Sequence, residues 1–231
     1  LDTSSYENGR VSIVEVMGRD AGWLTASVDL LPNGCRPDFI YLPENTFNLD
    51  EFLRDVKTVF NSKGHCIIAI SEGIVFPRDT SSARIDAFNH VQLGGASDDL
   101  ARIVEKELNL PTRSIELSLI QRADSILASK VDHDEAIACS KLALLSALDG
   151  ETAKMVGIIR KSDQPYRIEY KLLDIARIAN VEKTVPFDMI GDKKGMTDKF
   201  RRYLKPLIQG EIKIEYKDGI IETANFAKHL L

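Results

Sequence analysis

The sequence predicts an α/β fold: a three-layer, Rossmann-like domain on a parallel sheet, followed by an irregular helical C-terminal appendage. Short apolar runs alternate with amphipathic helical stretches in the order strand, helix, strand, helix, strand. The connections are short, which implies parallel neighbours joined by right-handed crossovers. One run, CIIAI at 66–70, is apolar at every position, as a strand covered on both faces requires.

The elements follow in order. VSIVEV at 11–16 is β-branched and stops at Gly18, which predicts the first strand. Residues 20–31 carry Ala21, Leu24, Val28 and Leu31 at spacings of three and four, which predicts a helix ending before Gly34. Residues 39–42 form a second strand stopped by Pro43. A helix over 49–60 places Phe52, Val56, Val59 and Phe60 on one face, with Asn48 as its N-cap. After the strand at 66–70 come a loop with Pro77, a helix at 97–108 and a strand at 113–117. A long helix at 133–148 and a strand at 155–159 follow. From about 160 to 231 the pattern is irregular, broken by Pro165, Pro186 and Pro206, with a helix near 197–204 and a strand at 211–216.

Composition sets the outer limits. At 231 residues and 25.8 kDa, the chain suits one sizeable α/β domain or two small ones. A formal net charge of -5 gives no basic footprint, so no nucleic-acid partner is expected. Cys35, Cys66 and Cys139 form no CxxC pair and read as free thiols in a reducing compartment. His65, His90, His133 and His229 lie too far apart for a local metal motif, so no metal ligands are expected in this chain. No apolar run approaches the roughly 20 residues a membrane helix needs, and the expected location is cytoplasmic. The chain opens at Leu1 into polar residues, without a signal peptide, and reads as a piece of a longer polypeptide.

In parallel sheets, ligands collect beyond the carboxyl ends of the strands, where loops present side chains. The first strand is followed by Met17-Gly18-Arg19, the third by Ser71-Glu72-Gly73, and the strand that starts near Arg113 by Gln121-Arg122. Arginine offers a planar fork to phosphate oxygens, and a carboxylate accepts hydrogen bonds from sugar hydroxyls. Together they suit a phosphorylated, hydroxylated small molecule. Each has a plainer reading: Arg19 as a solvated residue, Glu72 as a turn residue, and Arg122 and Arg113 paired with Asp124 or Glu116. The Gly94-Gly95-Ala96-Ser97-Asp98 turn reads as a helix start capped by Ser97 or Asp98, with an anion site as the alternative. Lys193-Lys194 and Arg201-Arg202 read as a solvated basic face.

EVMGRDAGWLTAS at 15–27 closely resembles the phosphofructokinase family. PDFIYLPE at 37–44, AISEG at 69–73, TRSIELSLIQR at 112–122 and ASKVDHDEA at 128–136 continue the resemblance in the same order. It implies that residues 1–231 are the C-terminal, fructose 6-phosphate-binding portion of such an enzyme. The family's glycine-rich GGD loop and TIDND-like segment, which carry the phosphoryl donor and the catalytic aspartate, are not found in this sequence. The resemblance places Met17, Gly18 and Arg19 at the sugar-phosphate and transferred phosphoryl group, with Arg19 catalytic. It puts Glu72 on sugar hydroxyls and Arg122 on the 6-phosphate. Arg10 and Arg113 match arginines that reach into a neighbouring subunit's site, which implies a homo-oligomer with shared active sites. Leu119 stands where ATP-dependent bacterial members have a histidine in the substrate site. Ala123-Asp124 replaces a glycine pair, and Arg36 an acidic effector-site residue. The AGW start, the QLGG loop at 92–95 and the EKxVP stretch at 182–186 resemble a pyrophosphate-dependent subgroup.

The implied reaction is phosphoryl transfer from pyrophosphate, with ATP the alternative, to the 1-hydroxyl of fructose 6-phosphate in glycolysis. Mg²⁺ is implied as cofactor, bound mainly outside this chain. A non-catalytic sugar-phosphate-binding or oligomerisation module is the competing reading.

Overall fold

The computed structural model describes residues 9–77, 95–193 and 195–223, which fall into two compact units. The first comprises the chain up to Ala123 together with 176–205; the second comprises 124–175 and the residues from Pro206 on.

In the first unit, β1 (Val11–Val16), β2 (Phe39–Tyr41), β3 (Cys66–Ser71) and β4 (Thr112–Glu116) form one sheet in the order β2-β3-β1-β4. All neighbours are parallel, and the register sets Ile13 beside both Ile68 and Ser114. β1 pairs on both edges, which is why even its polar Ser12 and Glu15 are buried. On one face, α2 (Leu49–Lys63) and α3 (Ala96–Leu108) press Phe52, Val56, Leu100 and Val104 onto Val11, Ile13, Phe39, Ile68 and Ile70. Successive strand residues point to opposite faces. Ile40 and Leu42 therefore enter a second cluster, with Ala26 of α1 (Trp23–Ala26) and with Val185, Met189, Met196 and Phe200. Helices on both faces give the expected three layers. A six-residue helix, α4 (Ser118–Ala123), follows β4.

Local chemistry sets the ends of α2. The Asn48 side chain accepts from the Glu51 N–H at 3.0 Å, and Gly64, at φ 76°, stops the helix in the left-handed conformation. The helix expected over 20–31 is shorter than its periodicity suggests: α1 gives way to a 3₁₀ turn at Ser27–Leu30. Distant contacts override the pattern there. Asp29, 1% exposed, is held by Arg201 at 2.6 Å and by the Met196 N–H at 3.2 Å.

The second unit contains α5 (Lys130–Leu148) packed on an antiparallel hairpin of β5 (Lys154–Asp163) and β6 (Tyr166–Asp174). β6 lies inside the stretch expected to be irregular; Pro165 occupies the turn between two strands instead of ending order. α5 starts earlier than expected because the Ser129 hydroxyl accepts from the Asp132 N–H at 3.1 Å. The strand expected at 211–216 is replaced by a small hairpin of β7 (Tyr216–Lys217) and β8 (Ile220–Ile221). The turn Asp218-Gly219, with φ of 53° and 81°, fixes where those strands lie. Back in the first unit, α6 (Asp198–Leu204) is present where a helix was expected.

The N-terminus of α3 is capped differently from the expectation. Gly95 is the N-cap and no side chain of the turn caps the helix. Instead Glu15 of β1 accepts the Ser97 N–H at 2.8 Å, while Asp98 accepts from Ser114 on β4. The anion at this helix start is the protein's own carboxylate. Burial raises the Glu15 pKa, and the charges of Glu116 and Glu72 add to the effect. A raised folded-state pKa gives stability that is complete below the ordinary value of 4.5 and is lost as pH rises through the folded value. Glu15→Gln keeps an oxygen for Ser97 and removes the titration. Urea midpoints measured across acid to neutral pH should therefore decline less for Glu15→Gln than for the wild type. Parallel pH profiles would contradict the assignment.

Candidate functional site

The site forms at the carboxyl ends of β1 and β3, where the chain leaves two adjacent parallel strands. Glu72, the first residue after β3, turns its carboxylate across to the residues after β1. Its Oε1 accepts from the Gly18 N–H at 3.0 Å and from the Arg19 N–H at 2.9 Å. Glu72 is 8% exposed, so these two bonds replace water for groups that would otherwise be stranded. Its Oε2 carries no hydrogen bond among the described residues and remains available as an acceptor.

Arg19 holds a backbone conformation that a non-glycine residue seldom adopts, with φ 50°. The neighbouring strand end imposes it. The Arg19 carbonyl packs so tightly on Gly73 that a Cβ there would lie 1.9 Å from it. Only glycine fits at 73. Sequence and geometry thus meet in two short strings, Met17-Gly18-Arg19 and Ser71-Glu72-Gly73, each meaningless without the other.

A cavity of about 530 Å³ opens over this junction. Met17, Gly18, Arg19, Glu72 and Arg122 all line it, so five of the residues expected at the site converge. Arg122 is not paired with Asp124 by any ion pair among the described residues. Leu119, in contrast, stands on α4 with 72% of its surface exposed and does not line the cavity. Arg10 and Arg113 lie at the opposite, amino ends of β1 and β4. The six residues of β1 put roughly 20 Å between Arg10 and the cavity.

Gln121, which the sequence places beside Arg122, lines the cavity too, and Ala21, Leu24, Glu182 and Lys183, which the sequence did not single out as site residues, complete the lining. Gln121 accepts the Met17 N–H at 3.0 Å and so ties α4 to the end of β1, leaving its amide NH₂ unpaired among the described residues. Glu182 and Lys183 arrive from far along the chain. The Trp23 indole donates to the Lys183 carbonyl at 2.7 Å, and Glu44 Oε1 accepts from both Gly22 (2.9 Å) and Val185 (2.8 Å). The AGW and EKxVP strings were the available signal, since Trp23 and Lys183 meet.

Two of the four residues of the basic face expected near the end of the chain are paired with carboxylates. Lys193 is paired with Glu51 and Asp55, and Arg201 with Asp29 and Asp198. Lys194 and residues 92–94 of the QLGG loop lie outside the described residues. No group of three or more His, Cys, Asp or Glu side chains among the described residues is arranged to hold a metal ion. No helix among them is long and apolar enough to cross a membrane.

Comparison with known proteins places this geometry in a family. The phosphofructokinase family model matches residues 1–143. The chain is 38% identical over 226 residues to the pyrophosphate–fructose 6-phosphate 1-phosphotransferase of Halomonas elongata, covering 95% of this chain and 54% of that protein. It is 31% identical to the sulfofructose kinase of Alkalicoccus urumqiensis, covering 86% and 52%. The solved structure of the pyrophosphate-dependent phosphofructokinase from Marinobacter aquaeolei superimposes with a TM-score of 0.78 at 31% identity. That match covers 99% of this chain and 56% of the other. The chain thus spans about half the length of these relatives.

The double acceptor role of Glu72 is testable without any ligand. Glu72→Ala leaves two N–H groups without a partner, at a cost of about 1–3 kcal/mol for a buried unsatisfied group. Glu72→Gln retains an amide oxygen for both. Chemical denaturation should show a clear loss for the alanine variant and little for the glutamine one. Equal losses would mean that the negative charge, not the shared oxygen, holds the turn.

Proposed function

The chain belongs to the phosphofructokinase family, and on that premise we propose that it supplies the acceptor site for phosphoryl transfer from pyrophosphate to fructose 6-phosphate. The product is fructose 1,6-bisphosphate, a glycolytic intermediate, and the chain is the sugar-phosphate-binding portion of the enzyme. One observation carries the reading: Met17, Gly18, Arg19, Glu72 and Arg122, drawn from three strand ends, line one cavity with an acceptor oxygen and cationic side chains. Pyrophosphate is favoured over ATP because that donor is named in most of the relatives.

Such transfers depend on positioning and on stabilising charge that spreads over the moving phosphoryl group. Arg122 holds the 6-phosphate through paired N–H groups. Glu72 Oε2 accepts from a ring hydroxyl while Oε1 stays committed to the loop, so the same carboxylate that shapes the turn orients the sugar. Arg19, held by that turn, places its guanidinium against charge that develops during transfer. The proton acceptor and the cradle for pyrophosphate belong to the part of the relatives' length that this chain does not span. Mg²⁺ is expected in the complete enzyme to neutralise phosphoryl oxygens; the described residues offer no cluster suited to hold it, and none of these steps passes through it. Arg10 and Arg113, remote from the cavity, are proposed to serve a neighbouring subunit's site in a homo-oligomer acting in the cytoplasm.

Two measurements test the assignment. In the full-length enzyme, Arg19→Ala should lower kcat by about 10²-fold or more, the behaviour of an interaction made mainly in the transition state. Arg122→Ala should chiefly raise KM for fructose 6-phosphate, because its contact is made before and during transfer. An Arg19→Ala enzyme with wild-type kcat removes that residue from the chemistry. The 231-residue chain by itself should give no turnover in an aldolase-coupled assay with Mg²⁺ and either pyrophosphate or ATP. Turnover above a mock-purified control would place the missing machinery within this chain.

A further inference from the structure

We propose that Lys183 is a phosphate-binding residue of this cavity, acting with Arg122 on the phosphate that remains attached to the sugar. The inference rests on the acceptor-site reading above and adds a residue to it from a segment distant in sequence.

Lys183 lies in a stretch without regular secondary structure, yet its path is fixed on both sides. Its carbonyl accepts from the Trp23 indole at 2.7 Å, and two residues later the Val185 N–H donates to Glu44 at 2.8 Å. The same Glu44 oxygen accepts from Gly22 at 2.9 Å. One anchor, Trp23, lies on the helix that follows β1; the other, Glu44, lies in the loop after β2 and is itself tied through Gly22 to the loop that carries Arg19. Two hydrogen bonds within three residues of one irregular stretch, one of them to a carboxylate that is itself anchored, indicate a position that is held.

The side chain is placed with equal care and left charged. The Lys183 ammonium sits 5.9 Å from the centre of the Trp23 ring and 5.7 Å from that of Tyr203. Aromatic faces orient a cation without neutralising it. A carboxylate partner would cancel the charge, as Glu51 and Asp55 do for Lys193 and Asp29 does for Arg201. Lys183 and Arg122 have no such ion pair among the described residues, and both line the same cavity.

The charge count identifies the ligand class. A phosphate monoester carries close to two negative charges at neutral pH. Lys183 and Arg122, two lining cations without an ion pair among the described residues, match one such dianion. The cavity also holds carboxylates, Glu72 and Glu182, which would repel a ligand that was anionic throughout. Glu72 Oε2, without a hydrogen bond among the described residues, suits hydroxyl donors. The lining fits a molecule with a phosphate at one end and hydroxyls at the other, which is the acceptor and not pyrophosphate.

The test uses the full-length enzyme with Lys183→Met and Lys183→Arg. Methionine keeps an unbranched stem against Trp23 and Tyr203 while deleting the charge; arginine restores it. KM is measured for fructose 6-phosphate and for pyrophosphate, and the Kd of fructose 6-phosphate is measured by calorimetry without a phosphoryl donor. The expected result is a rise of about tenfold or more in both constants for fructose 6-phosphate in Lys183→Met, as for loss of a charged hydrogen bond. That rise should exceed any fall in kcat, leave KM for pyrophosphate unchanged, and be largely reversed in Lys183→Arg. Wild-type affinity in Lys183→Met would reduce the residue to a structural anchor and overturn the proposal. A rise confined to pyrophosphate would overturn it too, moving the phosphate to the donor. If the wild-type enzyme binds fructose 6-phosphate but does not use pyrophosphate, the donor reading fails while the calorimetric comparison still decides Lys183. No binding of fructose 6-phosphate by the wild type overturns both.

Discussion

The Glu72 carboxylate, reaching from the end of β3 to the Gly18 and Arg19 N–H groups beyond β1, is the contact from which the rest of the site follows. Parallel pairing brings the two strand ends together, with Val16 beside Ser71, but does not by itself determine how the chain leaves them. The carboxylate does. It draws Arg19 into the left-handed region, and the Arg19 carbonyl then lies where only a glycine at 73 leaves room. Such a conformation costs energy and persists only where surrounding contacts over-determine it. Here they do so from both sides, through an acceptor above the amide and a missing side chain beside the carbonyl.

From that junction the construction extends outward through two further polar ties. Gln121 holds the Met17 amide and so positions α4, and Arg122 with it, against the end of β1. Glu44 gathers Gly22 and Val185 onto one oxygen, with Trp23 adding the Lys183 carbonyl. Each tie connects segments separated by many residues, and none uses a helix or sheet hydrogen bond. The apolar cluster of Ile40, Leu42, Met189 and Phe200 lies behind the second tie and gives it a firm base. Cavity walls assembled this way depend on the core on both faces of the sheet, so mutations in either cluster should disturb ligand binding as well as stability.

This division explains what the sequence reveals and what it conceals. The strands were legible because apolar runs of four to six residues between glycine and proline have few alternatives, and β1, β3 and β4 appear close to where they were expected. Met17 to Arg19, Glu72 and Arg122 were legible as the polar residues at strand ends. Glu182 and Lys183 were not, because Trp23 and Lys183 stand 160 positions apart and no local pattern encodes their meeting. The shortened α1 has the same cause: Asp29 is committed to Arg201, 172 positions away. Pro165 misled in the opposite direction, since a proline that breaks a helix also sits well in the turn between two strands. Arg10 and Arg113, at the amino ends of β1 and β4 and away from this chain's own cavity, are singled out by the resemblance alone, which assigns them to a neighbouring subunit's site.

One regularity runs through three glutamates of the first unit, Glu15, Glu44 and Glu72. In α/β proteins, backbone N–H groups at helix starts and in loops after strands are the usual receptors for phosphate. Here those groups are taken. Glu15 occupies the start of α3 through the Ser97 N–H, Glu44 occupies the Gly22 N–H before α1, and Glu72 occupies Gly18 and Arg19. An anionic ligand entering from solvent would meet carboxylates where a nucleotide-binding loop would offer amides. Recognition of phosphate must then pass to side-chain cations, which reach past the backbone into the cavity. Arg19, Arg122 and Lys183 are the cations in that position. Internal carboxylates thus both shape the loops and occupy amides that could otherwise receive phosphate. This supports the proposed reading in which Glu72 takes the hydroxyls of an acceptor sugar and side-chain cations take its phosphate. The same arrangement leaves no amide cradle for a phosphoryl donor at these three positions, in keeping with the proposal that the donor is bound outside this chain.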